Sequence, residues 1–476
     1  MDVAKLEKLF QNISGEAPEV SKLFKKSGSG RQYYRLKSEK LSLIGCMNSD
    51  VDENEAFFHL SGVFSKAGLN VPEVLAIDES RQYYIQTDLG DQMLYNIVTS
   101  RQTENLDDYL LNQYKKVLSA LIDFQTIDQS LIDSSKYYPL PVFNRQSIEW
   151  DLNYFKYYFL KLHDITFNER KLQTDFDAFI GQLLNDEMHY FMFRDFQSRN
   201  ILLKNDEPWF IDFQGGRKGP LAYDVASLLY QAKANLTPDD RDNLLRHYLS
   251  ELESKTDIDA ARFMDYFYPN ALLRTLQVLG AYGYRGLFQR KTHFLTSIGK
   301  ALRNLKSILP SLSALNHVPE LSRCLHELVE RIPEYENKPT EKFKVVIQSF
   351  SYLDGGVPPD TSGHGGGYVF DCRMLPNPGR DPYYANMNGM DKEVKDYLEK
   401  HQEVETFIAN ALEFGTKHIE TYLNKDFNYL SISFGCTGGQ HRSVYCAEQT
   451  ASQLKKKFPD IVIQVNHLIQ KVAYQC

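Results

Sequence analysis

The sequence predicts two folded units, an α+β one followed by a separate α/β one, and three observations carry the prediction. Strand-like runs near the N-terminus give way to long helical stretches. The stretch RIPEYENKPTEKF, residues 331–343, then breaks the pattern with prolines and charges. Beyond it strand-like and helical segments alternate, as in an α/β layer. With 476 residues, 42% of them hydrophobic, the chain has apolar side chains enough for two or three cores. The expected boundaries are 1–332, a linker at 333–342, and 343–476.

The first unit opens with KSGSGRQYYRLKSEKLSLIGCM, in which Gly28 and Gly30 lie in a turn between alternating runs. ENEAFFHLSGVFSKAGL has helical periodicity, and EVLAIDESRQYYIQTDLG reads as two strands joined by a turn. From about Leu106 to Leu184 and from about Pro238 to Leu312 the pattern is helical. The aromatic residues of WDLNYFKYYFLKLHD suit core packing better than sugar stacking. Only FRDFQSRNILLKNDEPWFIDFQGG, residues 193–216, interrupts the helices with strands. In the second unit VVIQSF, GYVFDCR and YLSISFG are the expected strands, with MDKEVKDYLEKHQEVETFIANALEF helical among them.

The interruption carries chemistry. NILLK and PWFID, joined by the turn NDE, form an expected hairpin whose open end brings Asn200 and Asp212 together, with Asp195 on the incoming loop. A carboxylate and an amide can hold Mg2+, and a second carboxylate can take the proton of an attacking hydroxyl, which is the division of labour in phosphoryl transfer. Asp-x4-Asn followed by Asp-Phe-x-Gly matches the protein-kinase-like catalytic set. Gly28, Ser29 and Gly30 would then cover ATP phosphates with backbone N–H groups. YYIQTDLGD, with Asp88, would supply the hinge. Asp224 either bonds the catalytic-loop backbone or serves its own helix N-terminus, and the second role is favoured.

The run FRDFQSRNILL, followed by FIDFQGGRKGPLAYDVASLL, resembles the aminoglycoside-phosphotransferase-like kinases, and most closely the anomeric N-acetylmuramate/N-acetylglucosamine kinases of cell-wall recycling. The resemblance extends over nearly all of 1–332, GSGRQYYRL and RTLQVLGAYGYRGLFQR included. It implies a bilobal protein-kinase-like fold and ATP-dependent phosphorylation of an amino sugar's anomeric hydroxyl, with Asp195 as base and Asn200 and Asp212 as metal ligands. Two departures stand out. The strand that carries a phosphate-pairing lysine in such kinases reads LSLIGCM, which leaves Arg31, Arg35 or Lys37 as substitutes and no lysine for Glu53 or Glu55 to pair with. Phe193 stands where a histidine is usual, a change of packing more than of chemistry. Only about ten residues separate Asp212 from AYDVASLL, which favours a small-molecule acceptor over a protein.

In the second unit, YLSISFGCTGGQHRSVYCAEQTASQLKKKF reads as strand, glycine loop and helix, an anion site to which His441 and Arg442 add charge. Cys436 to Ser443 fits C-x-x-G-x-x-R-S, the phosphate cradle of cysteine phosphatases. Gly435 replaces the histidine expected there and the only candidate general acids are Asp371 and Asp391, so binding is favoured over catalysis. This segment, with QSFSYLDGGVPPDTSGHGGGYVFDCRMLPNPGRDPYYANMNGMDKEVKDYL, resembles the C-terminal domain of RapZ, a glucosamine-6-phosphate-sensing RNase adaptor, over about 345–455. The likeness implies a sugar phosphate held by Asp371, Arg373, Cys436, Thr437, Gly438, Gly439, His441 and Arg442, with Asn377 and Asp391 as weaker candidates. His364, in the inserted SGHGGG, is left unassigned.

Charge and composition narrow the partners. A net charge of −8 argues against a nucleic-acid or anionic-lipid surface, and residues 340–476 carry 14 Lys and Arg against 16 Asp and Glu, so RNA is an unlikely partner. Cys46, Cys324, Cys372, Cys436, Cys446 and Cys476 show no zinc spacing and suit a reducing cytoplasm. The N-terminal stretch does not read as a signal peptide and no run is long enough to span a bilayer, which predicts a cytoplasmic protein without a membrane partner. A homo-oligomer is left open. The expected cofactors are ATP and Mg2+, and the partners an amino sugar and its phosphate. The rival readings are a C-terminal phosphatase, an RNA-binding adaptor, and a kinase-like scaffold without catalysis.

Overall fold

The computed structural model describes residues 3–22, 30–163, 165–289, 292–312, 317–336, 343–359, 367–423 and 429–475. The chain divides into two compact units, Met1–Tyr284 with Ser297–Pro333, and Arg285–Thr296 with Glu334–Cys476.

The first unit begins with a five-stranded antiparallel sheet of β1 (Glu19–Lys22), β2 (Gln32–Lys37), β3 (Ser42–Met47), β4 (Val74–Ile77) and β5 (Tyr83–Thr87), in the order β1-β2-β3-β5-β4. Strand alternation sends neighbouring side chains to opposite faces. Tyr83 and Ile85 pack with Leu6 and Phe10 of the helix Val3–Ser14, whereas Tyr84 meets Phe57 of the helix Val51–Lys66. That second helix starts at Asp50, whose carboxylate caps it by accepting from the Glu53 N–H at 3.0 Å. The cap fixes Glu53 in the first turn, within 3.2 Å of Gln214 in the segment 193–216.

The remainder of this unit is helical. Asp108–Gln125 packs on Pro238–Lys255, and Ala260–Tyr282 packs on both Arg145–Phe155 and Leu221–Leu229. Phe155, Phe159 and Leu160 are core residues while Trp150 and Tyr157 are exposed, so the aromatic stretch packs along one face only. Among these helices stand two short antiparallel pairs, β6 (Tyr190–Met192) with β9 (Arg217–Gly219), and the hairpin β7 (Ile201–Lys204) with β8 (Glu207–Phe210). A cluster of Phe64, Phe124, Phe191, Phe193, Phe210 and Phe213 joins the hairpin to the sheet-side helix.

The second unit contains a sheet in the order β11-β12-β10-β13-β14: β10 (Lys344–Ser351), β11 (Gly367–Asp371), β12 (Tyr429–Cys436) and β13 (Val462–His467) are parallel, and β14 (Val472–Gln475) closes the edge antiparallel. The strands β13 and β14 were absent from the expected set. VIQVNH buries only every second residue and VAYQ is exposed throughout, so neither carries the run of buried residues that β10 and β12 carry. The core joins Val345, Ile347, Ile432, Phe434, Ile463 and Val465 with residues of the helices Gln402–Leu423 and Arg442–Lys457.

Candidate functional site

In the first unit the hairpin closes as its sequence predicts. Ile211 N–H donates to Asn200 O at 3.0 Å, and Asn200 Nδ2 donates to Asp212 Oδ2 at 3.2 Å and to the Asp195 carbonyl at 2.9 Å. The amide nitrogen makes both bonds, so its Oδ1 is the atom available to a cation beside Asp212. Two oxygen ligands suit Mg2+, which keeps waters and phosphate oxygens in its shell. Among the described residues no group of three or more His, Cys, Asp or Glu could hold a metal. Arg194 and Asp212 both take left-handed backbone conformations, φ +72° and +65°, a strain that surrounding bonds must hold. Arg194 is held through Asp151, 2.8 Å away, and Asp212 through Gln214 Nε2 at 2.9 Å.

Asp195 is 42% exposed, so a substrate can reach it. Its Oδ1 accepts from Arg274 at 2.8 Å and its Oδ2 lies 3.7 Å from Arg199. Burial alone would push this carboxyl up, but the Arg274 and Arg199 charges outweigh it and hold it at about 2. Arg274 lies within RTLQVLGAYGYRGLFQR, yet its role was not foreseen, because nothing local signals a partner 79 residues away. The role favoured for Asp224 needs correction. It is fully buried and accepts from Phe193 N at 2.6 Å and Arg194 N at 3.0 Å, so it props the loop that carries Asp195. Phe193 packs against Phe124 at 5.0 Å and Phe191 at 5.3 Å, filling the histidine's place with ring contacts.

The residues expected at the nucleotide are dispersed. Gly28 and Ser29 lie outside the described residues, and Gly30 is exposed. Arg35 forks onto Asp88 (2.7 and 3.0 Å) and Asp91 (2.7 and 2.8 Å), so Arg35 and Asp88 are each other's partners. Glu53, left without a lysine partner by the sequence, pairs with Arg31 at 3.2 Å, while Glu55 binds Arg81 and Lys136.

In the second unit β12 ends at Cys436 and the loop 437–441 leads into the helix Arg442–Lys457. Gly439 has φ +64°, and a Cβ there would crowd Ile469 Cγ1 at 2.5 Å and Ser351 N at 2.9 Å, so only glycine fits. Thr437 and Gly438 are exposed at the loop mouth. Arg442 is buried and donates to the carbonyls of Arg373 (2.9 Å) and Leu375 (3.0 Å), with Thr437 Oγ1 at 3.5 Å. Its fork shapes the loop from beneath. His441 Nε2 is 2.9 Å from the Tyr384 carbonyl, and Cys436 Sγ is 3.1 Å from Ser443 Oγ in a buried pair. Arg373 is an exposed cation that lies over the Tyr352 ring at 4.1 Å and hydrogen-bonds both Asp371 oxygens, 2.6 Å at the shortest. That bond holds the Asp371 carboxyl below its ordinary value, the wrong direction for a general acid. Asn377 and Asp391 accept from their own turns, at Gly379 N and Asn388 N. His364 lies outside the described residues.

A small antiparallel sheet ahead of a helical body, with an acid, an amide and a second acid gathered on a hairpin between them, defines a kinase-like phosphotransferase, here followed by a separate α/β domain. The chain belongs to the phosphotransferase enzyme family, which matches residues 22–264, and residues 343–470 match the RapZ C-terminal domain. A nucleotide-binding protein of Mannheimia succiniciproducens is 36% identical over 165 residues, 34% of this chain and 53% of that protein. The RNase adapter protein RapZ of Hamiltonella defensa is 40% identical over 123 residues, 26% and 41% of the two chains. The chain thus spans about half the length of the curated relatives it matches. Similar solved structures include the aminoglycoside phosphotransferase APH(4)-Ia, 17% identical over 63% of this chain and 98% of that one with a TM-score of 0.42, and an ethanolamine kinase of Plasmodium vivax, 13% identical over 61% and 82% with a TM-score of 0.42. Among the described residues no helix is long and apolar enough to cross a membrane.

Proposed function

We propose that this protein is a cytoplasmic ATP- and Mg2+-dependent kinase, residues 1–332, that phosphorylates the anomeric hydroxyl of an amino sugar of the N-acetylmuramate or N-acetylglucosamine type. A linker at 333–342 joins it to a domain, 343–476, that binds a phosphorylated amino sugar. The observation that carries the reading is the convergence of Asp195, Asn200 and Asp212 through the Asn200 side chain. Asp195 orients the acceptor hydroxyl and takes its proton as the O–P bond forms. Asn200 and Asp212 hold Mg2+, which when bound neutralises charge on the transferred phosphoryl group. Arg31 serves the nucleotide, and Arg35 with Asp88 braces that side of the sheet.

In the second unit the ligand's phosphate lies on the N–H groups of Thr437 to His441 at the helix N-terminus, with the exposed Arg373 as its counter-charge and Asp371 on a sugar hydroxyl. The buried, carbonyl-bound Arg442 favours binding over hydrolysis, because a phosphatase needs that fork free for its substrate. Hydrolysis of a model phosphomonoester that disappears in Cys436→Ser would reverse this assignment. RNA is the rival ligand, motivated by the similarity to the RNase adapter protein of Hamiltonella defensa, and salt-sensitive RNA retention on filters would support it.

The deciding experiment is ATP- and Mg2+-dependent phosphorylation of N-acetylmuramate, N-acetylglucosamine, glucosamine and an aminoglycoside, with Asp195→Asn as control. Product on an N-acetyl sugar that vanishes in the control is expected. Silence across the panel would favour another acceptor or a scaffold.

A further inference from the structure

A phosphotransferase needs a cation beside the nucleotide phosphates, and β3, SLIGCM, contains neither lysine nor arginine. Three cations of β2 and its approach are near. Arg35 has spent its fork on Asp88 and Asp91, and Lys37 is exposed at the far end of the strand. Arg31 differs from both. Its side chain is 3% exposed, its NH2 lies 3.2 Å from Glu53 Oε1, its NH1 donates to Tyr33 OH at 3.4 Å, and its Nε has no hydrogen-bond partner among the described residues. A buried guanidinium with an unspent donor is costly unless a further anion completes it.

Its partner is wired to the metal side of the site. Glu53 Oε1 accepts from Gln214 Nε2 at 3.2 Å, and the same nitrogen donates to Asp212 Oδ1 at 2.9 Å. Asn48 Nδ2 holds the other Glu53 oxygen at 2.8 Å. Arg31, Glu53, Gln214, Asp212 and Asn200 therefore form one continuous chain from the sheet to the catalytic hairpin. Tyr33 senses both ends: burial first of all raises its phenol, the Asp212 charge adds to that, and Arg31 opposes it.

On the phosphotransferase reading above, we propose that Arg31 supplies the phosphate-facing cation that β3 lacks, and that Gln214 is the positioning residue that couples its carboxylate partner to Asp212. The cation has moved from the middle of the sheet to the entry of β2, while the helix-borne carboxylate kept its place.

The test is calorimetric binding of ATP and of adenosine, each with and without Mg2+, to the full chain and to Arg31→Met, Arg31→Lys, Arg35→Met and Gln214→Leu. Loss of one or two charge-assisted bonds corresponds to about 10- to 100-fold weaker ATP binding in Arg31→Met. Adenosine binding stays unchanged there, Arg31→Lys recovers part of the loss, and Gln214→Leu needs several-fold more Mg2+ for half-maximal ATP binding. Parent-like ATP binding by Arg31→Met, or a larger loss in Arg35→Met, overturns the assignment alone. A parent chain that binds no ATP overturns the assignment and the kinase reading together.

Discussion

On the proposed reading Asp195 works as an already ionised group. Held at about 2 by Arg274 and Arg199 against the effect of burial, it stays a carboxylate through the whole range in which an enzyme is assayed. The pH–rate profile should therefore show no limb from this group between about pH 5 and 9. Asp195→Asn should lower kcat by about 10^2- to 10^4-fold. Arg274→Met removes the nearer charge, so an acid limb should move upward toward the ordinary aspartate range, readable as a kcat loss below about pH 5. Asp224 behaves oppositely: burial pushes its carboxyl up to about 7 although two backbone N–H groups donate to it. The unfolded chain releases that proton near pH 4. Between about pH 4 and 7 the folded state holds the extra proton, so this group's contribution to stability falls as pH rises through that window and levels off above it. Asp224→Ala leaves the Phe193 and Arg194 N–H groups without their acceptor and should cost about 2–4 kcal/mol, with loss of that pH slope, measured by denaturant midpoints at several pH values. The three candidate catalytic positions were legible because they sit within eighteen residues of one another, on one hairpin and the loop that leads into it. Arg274 and Gln214 were not, since ion pairs across the fold leave no local spacing to read.

At the level of elements, the hairpin β7–β8 and the strand, loop and helix around Cys436 followed from short-range patterns, alternation for the first and a glycine run before a periodic segment for the second. β14 escaped notice because an exposed edge strand buries nothing that would mark it. The glycine loop also depends on a residue to which the sequence assigned no role. A Cβ at Gly389 would fall on the His441 carbonyl and 2.5 Å from Tyr445 N, so the segment 388–391 closes against the first turn of the helix Arg442–Lys457 only because it carries glycine there. Its own N–H donates to Gln440 O at 2.9 Å. Gly389→Ala should cost about 1–3 kcal/mol of second-unit stability by overpacking and displace the helix N-terminus. Weaker binding of glucosamine-6-phosphate alongside undiminished ATP binding would be the calorimetric signature.

Two compact units in one chain raise the question of whether their ligands communicate, and thermodynamics gives it a definite form. A ligand that binds only the folded form of one unit stabilises that unit by RT ln(1 + [L]/Kd), about 2.7 kcal/mol at a hundredfold excess over Kd. If the units unfold independently, scanning calorimetry resolves two transitions, Mg2+ with ADP raises one of them, and glucosamine-6-phosphate raises the other. Such separation is the expected result, because each unit carries its own core and each candidate site is assembled from residues of one unit: Asp195, Asn200 and Asp212 in the first, and Arg373, Thr437 and Arg442 in the second. A single transition moved by either ligand would instead mean one cooperative unit. In that case the dissociation constant of ADP measured in saturating glucosamine-6-phosphate must change by the same factor as that of the sugar phosphate in saturating ADP, since coupling between two binding equilibria is reciprocal. The sign of that factor says whether the sugar phosphate tightens or weakens nucleotide binding, and a rate assay in saturating glucosamine-6-phosphate then reads whether it activates or inhibits the kinase.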